Sequence, residues 1–194
     1  MRLLTPILAL LLPVAAMAAT PVAAPAQSIP AAEVAVTYNW VHTNAPPKDC
    51  GCFSMNGGSG SFAYNFTRKW AVVGEVGAEN NSNVESTGLG LTLADFLAGG
   101  RYTLRNHSRL QPFGQILLGA AYTSGSLSPD QIGLGAATSF ATTAGGGVDV
   151  NLSPRIALRA IQADYFLTLL PNGLSDRQNN LRISAGLVFR FGSK

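Results

Sequence analysis

Cys50-Gly51-Cys52 is the one local oddity among the side chains able to do chemistry. Two thiols at this spacing suit either a disulfide in an oxidising compartment or a soft-metal pair. An oxidising compartment favours reading Cys50 and Cys52 as a local or intermolecular disulfide without catalytic work, although a Cys-x-Cys bridge closes a small, usually strained ring; incidental thiols and a redox or metal pair are the alternatives. A zinc site wants four ligands and only His42 lies near, so no metal is expected. His42 and His107 are the only histidines, which limits hydrolytic chemistry that needs an imidazole base. His42 has Ser54, Ser59 and Ser61 across the first predicted hairpin, but no spacing in the chain matches a catalytic triad. Gly57-Gly58 and Gly145-Gly146-Gly147 lack the Lys and the helix that follow a phosphate-binding loop. In strands such glycines allow tight curvature instead. No catalytic residue and no cofactor is expected.

The ionisable residues form a more coherent pattern. Glu75, Asp95, Arg101, Asp149, Arg159, Asp164, Arg182 and Arg190 all occupy the polar phase of segments in which polar and apolar residues alternate. The clearest segment is at the C-terminus, where Leu181, Ile183, Ala185, Leu187, Phe189 and Phe191 alternate with Asn180, Arg182, Ser184, Gly186, Val188 and Arg190. The first segment, 33–42, sets Val34, Val36, Tyr38 and Trp40 against Glu33, Ala35, Thr37 and Asn39. Between them, further strands carry Phe62, Tyr64 and Phe66; Trp70, Val72, Gly74 and Val76; Phe96, Ala98, Tyr102 and Leu104; Ile116, Leu118, Ala120 and Tyr122; and Val148 and Val150. The seventh begins with Ile156 and Leu158. Keeping Arg159, Gln162 and Asp164 on one face there requires a bulge near Ala160-Ile161.

Eight strands result, joined alternately by short turns and long connections. The turns are Thr67-Arg68-Lys69, Asn106-His107-Ser108 and Leu152-Ser153-Pro154, and the loops span about 43–57, 80–90, 123–138 and 168–178. This alternation fits an up-and-down barrel in an outer membrane, and a soluble β-sandwich or lipocalin alternates as well, with its apolar face pointing inward.

Composition agrees. Of 194 residues 47% are hydrophobic and only 12% charged, with a positive mean hydropathy of +0.21. After the N-terminus no window holds 18 successive apolar residues, so a membrane helix is not expected. A closed barrel is the other way to cross a bilayer. The 21 glycines disfavour a helical bundle. The net charge of +3 includes Arg2 and has no Lys/Arg run, so nucleic acid is not an expected partner.

Arg2, the apolar stretch Leu3 to Val14 and Ala16-Met17-Ala18 read as a secretory signal peptide over residues 1–18. An Ala/Pro-rich leader, 19–31, follows, and the folded unit is expected over 32–194.

The run Ser184-Ala185-Gly186-Leu187-Val188-Phe189-Arg190-Phe191 resembles the β-signal of outer-membrane proteins, with a polar residue, Gly and two spaced aromatics at Ser184, Gly186, Phe189 and Phe191. It departs from that pattern in that Gly192-Ser193-Lys194 follow the last aromatic. With the strand count, the chain resembles the small eight-stranded group that includes the OmpA membrane domain and OmpX/Ail-type proteins. The resemblance implies an all-β, eight-stranded antiparallel up-and-down transmembrane β-barrel in the Gram-negative outer membrane. It also implies contact with lipid, lipopolysaccharide and the barrel-assembly machinery. A monomer is expected, with no peptidoglycan-binding domain after the last strand. Charges on the inner face are expected to pair across a narrow lumen as a polar plug. On this reading the protein is structural or contacts other surfaces through four loops. Three alternatives stay open: a small pore, a lipid A-modifying barrel enzyme using His42, and a soluble sandwich with its apolar faces turned inward.

Overall fold

The computed structural model describes residues 29–45, 51–84, 90–106, 108–125, 135–171 and 176–193. It contains β1 (Ala32–Ala45), β2 (Gly51–Asn65), β3 (Trp70–Asn81), β4 (Leu91–Thr103), β5 (Leu110–Ser124), β6 (Ala136–Asn151), β7 (Ile156–Thr168) and β8 (Gln178–Phe191). Each strand pairs antiparallel with the next, and β8 closes on β1 from Ala32↔Phe191 to His42↔Leu181, giving one closed barrel in sequence order. No described helix is long and apolar enough to cross a membrane.

Alternation along each strand sends one set of side chains out and the other in. The outward set is apolar: Ile116 is 62% exposed and Phe96 59%, whereas Arg159 and Arg182 are 1% exposed. A water-soluble sandwich would have the opposite arrangement, so the inward-facing alternative is excluded. Aromatic residues concentrate toward both ends of the outer surface. Trp70 packs edge-on to Tyr102 at 4.9 Å near the short turns, and Trp40 stacks on His42 at 5.6 Å near the loops.

The interior is narrow, and small inward-facing residues let the sheet curl tightly. At Gly186 an added Cβ would lie 2.1 Å from the carbonyl oxygen of Val36 across the β8–β1 seam, and at Gly77 one would lie 2.6 Å from Asp95 Oδ1. The ladders of β7 shift register between Arg159 and Gln162. Ala160 and Ile161 are both exposed there, and Arg159, Gln162 and Asp164 all turn inward. This is the bulge that the sequence requires.

Two features differ from the sequence reading. β1 and β2 extend to Ala45 and from Gly51, so most of the expected 43–57 loop is strand, with Gly57 paired to Asn39 and Gly58 to Tyr38. β6 begins at Ala136, well before the Val148 segment. Both added stretches are rich in Gly, Ser, Thr and Ala, whose small side chains give weak hydropathy contrast between faces.

Candidate functional site

The inward side chains form a polar network along the barrel axis. At the turn end, Glu33 Oε1 accepts from Arg105 Nη2 at 2.8 Å, with Arg190 Nε at 3.6 Å and Arg101 Nη1 at 4.0 Å from its carboxylate. Arg190 also donates to Asn151 Oδ1 at 2.5 Å and Gln111 Oε1 at 3.1 Å. Farther along, Arg101 donates through Nε and Nη2 to Gln115 Oε1 at 3.0 and 2.9 Å. Arg159 grips Asp149 with two bonds, at 2.9 and 3.2 Å, and donates to Gln162 at 2.9 Å. Gln162 in turn donates to Asp164 Oδ2 at 2.6 Å. The Arg101 and Arg159 guanidiniums lie 4.8 and 4.5 Å from the centroid of one ring, Phe113. That ring's quadrupole attracts both cations where they would otherwise repel.

Toward the loops, Arg182 reaches three carboxylates: Glu75 at 2.5 Å, Asp95 at 3.4 Å and Asp164 at 3.5 Å. Its guanidinium lies 5.2 Å from the Phe166 ring. Glu79 accepts from Asn39 Nδ2 at 2.8 Å, and Thr37 donates to the same asparagine at 3.1 Å. Beyond this layer the interior turns apolar, with Val41, Phe53, Met55, Leu93 and Phe166 in one buried cluster.

All eight lumenal residues singled out from the sequence, Glu75, Asp95, Arg101, Asp149, Arg159, Asp164, Arg182 and Arg190, are buried on the inner face. The network holds more than those eight. Glu33, Arg105, Gln111, Gln115 and Gln162 were visible on polar faces in the sequence, and Glu79 continues the Glu75–Gly77 phase. Phe113 and the apolar cluster carried no signal, because apolar residues on an inner face blur the alternation. Charge is unevenly spread: Glu75, Glu79, Asp95 and Asp164 surround Arg182, whereas Arg101, Arg105, Arg159 and Arg190 face Glu33 and Asp149.

The other candidates separate. His42 Nδ1 and Ser54 Oγ are 3.2 Å apart on the outer surface. Ser59 and Ser61 point into the barrel, with Ser59 Oγ 2.8 Å from Thr37 Oγ1, so they are not neighbours of His42. Among the described residues no carboxylate orients the imidazole, and no group of His, Cys, Asp and Glu is disposed to hold a metal. Cys52 is disulfide-bonded; Cys50 and His107 lie outside the described residues, as does the 1–18 segment. On β8, Ser184 faces in, Gly186 meets β1, and Phe189 and Phe191 face out.

A closed antiparallel barrel, apolar outside and ion-paired inside, defines a transmembrane β-barrel. The chain belongs to the outer membrane protein beta-barrel domain family, whose model matches residues 8–191. It is similar in fold to Neisserial surface protein A, at 16% identity and TM-score 0.64 over 83% of this chain and 97% of that one. It is also similar to Ail, the attachment invasion locus protein of Yersinia pestis, at 15% identity and TM-score 0.53 over 82% and 98%. A structure of Ail with the heparin analogue sucrose octasulfate gives TM-score 0.52 at 16% identity, over 82% of this chain and 99% of that one. No curated protein sequence matches the chain.

Proposed function

We propose that the protein is a monomeric barrel of the Gram-negative outer membrane that conducts no solute and performs no catalysis, acting through its loop-bearing rim on other surfaces. The observation that carries this reading is Arg182, which binds carboxylates from β3, β4 and β7 at once and so spans the interior. A solute would have to break these pairs, and breaking a buried pair from one side costs about 3–5 kcal/mol. With the lumen plugged, the loops are the remaining variable surface. The neighbours' names, a surface protein and an attachment protein, accord with such a role. Residues 1–18 serve as the export signal, and Ser184, Gly186, Phe189 and Phe191 present the last strand to the assembly machinery. Lipid and lipopolysaccharide surround the barrel.

Expression of the whole chain, followed by outer-membrane fractionation and gel mobility with and without boiling, tests the location. The refolded protein in a planar bilayer tests the lumen. A heat-modifiable outer-membrane band without conductance steps is expected, and regular steps would establish a pore instead.

A further inference from the structure

We infer that the turn end of the barrel is a binding surface for anionic phospholipid headgroups. Four cations stand exposed there: Arg68 and Lys69 between β2 and β3, Arg109 before β5, and Arg155 before β7. Backbone hydrogen bonds fix three of them around the rim. Lys69 O accepts from Thr103, Arg109 O from Asn151, and Arg155 O from Arg190, each at 2.8 Å. None of the four has an ion-pair partner among the described residues.

The acidic residues explain why. Of the ten Asp and Glu, Glu33, Glu75, Glu79, Asp95, Asp149 and Asp164 face the lumen. Asp49, Glu85, Asp130 and Asp176 fall, in sequence, in the four connections at the opposite end. Among the described residues no carboxylate side chain is left to neutralise the outside of the turn end.

Lys69 also sits at the right depth. Lys69 Nζ is 5.9 Å from the Tyr102 ring, which packs on Trp70. Trp70 and Phe66 are both about half exposed on the outer surface. Amphipathic aromatic rings settle at the headgroup level of a bilayer, so the Lys69 ammonium beside them meets lipid phosphates, and Arg68, Arg109 and Arg155 lie on the same turn end. Each cation near an anionic bilayer surface attracts it by a factor of about five. A diester phosphate with a net negative headgroup suits this collar, and a zwitterionic one does not. The inference rests on the membrane-spanning fold and on no particular role of the loops.

The chain carries two tryptophans, Trp40 near the loops and Trp70 in the collar, which allows each end to be read separately. W40F leaves Trp70 as the reporter in phosphatidylcholine vesicles doped with brominated phosphatidylglycerol or brominated phosphatidylcholine. Quenching of Trp70 is expected to favour phosphatidylglycerol by about fivefold in relative binding constant. The preference should fall toward unity in the fourfold variant R68Q/K69Q/R109Q/R155Q, and K69Q alone should lower it measurably. W70F, which reports from Trp40, should show no preference. Gel mobility without boiling verifies that each variant is folded. Equal quenching of Trp70 by the two lipids, or an undiminished preference in the folded fourfold variant, overturns the inference. So does a ratio of one together with charge-dependent co-sedimentation on purified murein sacculi, which would assign the collar to a cell-wall polymer.

Discussion

Arg182 on β8 and Asp95 on β4 face each other from strands four places apart in either direction around the barrel, with Nη1 3.4 Å from Oδ1. The contact therefore braces the wall across its diameter. Arg182→Gln should leave Glu75, Asp95 and Asp164 without their shared cation and lower stability by about 3–5 kcal/mol, read from urea unfolding in lipid vesicles. Adding Asp95→Asn should recover part of that loss through the coupling of two neighbours. Strictly additive losses would mean that the pair does not act as a brace.

Phe113 separates two like charges. Phe113→Leu keeps the site apolar but removes the ring from Arg101 and Arg159, and a loss of about 2 kcal/mol is expected in the same unfolding assay. An unchanged midpoint would show that Gln115 and Asp149 suffice to hold the two arginines.

Two glycines make a matched comparison. Gly186→Ala places a methyl group against the Val36 carbonyl at the closing seam, whereas a Cβ at Gly60 meets nothing within 4 Å. The first variant should fold slowly and lose its heat-modifiable band at a lower temperature. Gly60→Ala should stay within about 0.5 kcal/mol of the parent, as unstrained substitutions do.

His42 and Ser54 are hydrogen-bonded at the outer rim, and among the described residues no third, orienting group joins them. His42→Ala should leave the acylation pattern of the host's lipid A unchanged, measured by mass spectrometry of extracted lipid. A change that appears with the native chain and disappears with the variant would give this pair a chemical role.

The central stretches of most strands were legible because lipid outside and ion pairs inside impose opposite demands on successive residues. Thus Arg182 and Arg190 could be assigned to one shared polar face from spacing alone, although spacing did not say which face is the inner one. The same rule fails where the interior is apolar. Val41 and Met55 face inward beside outward neighbours Trp40 and Asn56, so hydropathy there does not say which phase is the inner one. It fails again where glycine and alanine occupy both faces, as in Ala136–Gly147. Glu79 was not singled out, although its phase continues that of Glu75 and it precedes the expected 80–90 loop. Across-barrel partners such as Glu33 and Arg105 depend on strand tilt and side-chain reach, neither of which periodicity encodes.

The bulge in β7 gives the chain one place where its length can drift. Arg159 and Gln162 both point inward with two outward residues between them, so deleting Ala160 restores plain alternation and keeps every other side chain in its own solvent. Elsewhere along the regular ladders a one-residue deletion would exchange oil-facing and lumen-facing positions for the rest of the strand. Natural variants that differ by a single residue within a strand should therefore cluster at this site, which acts as the barrel's expansion joint.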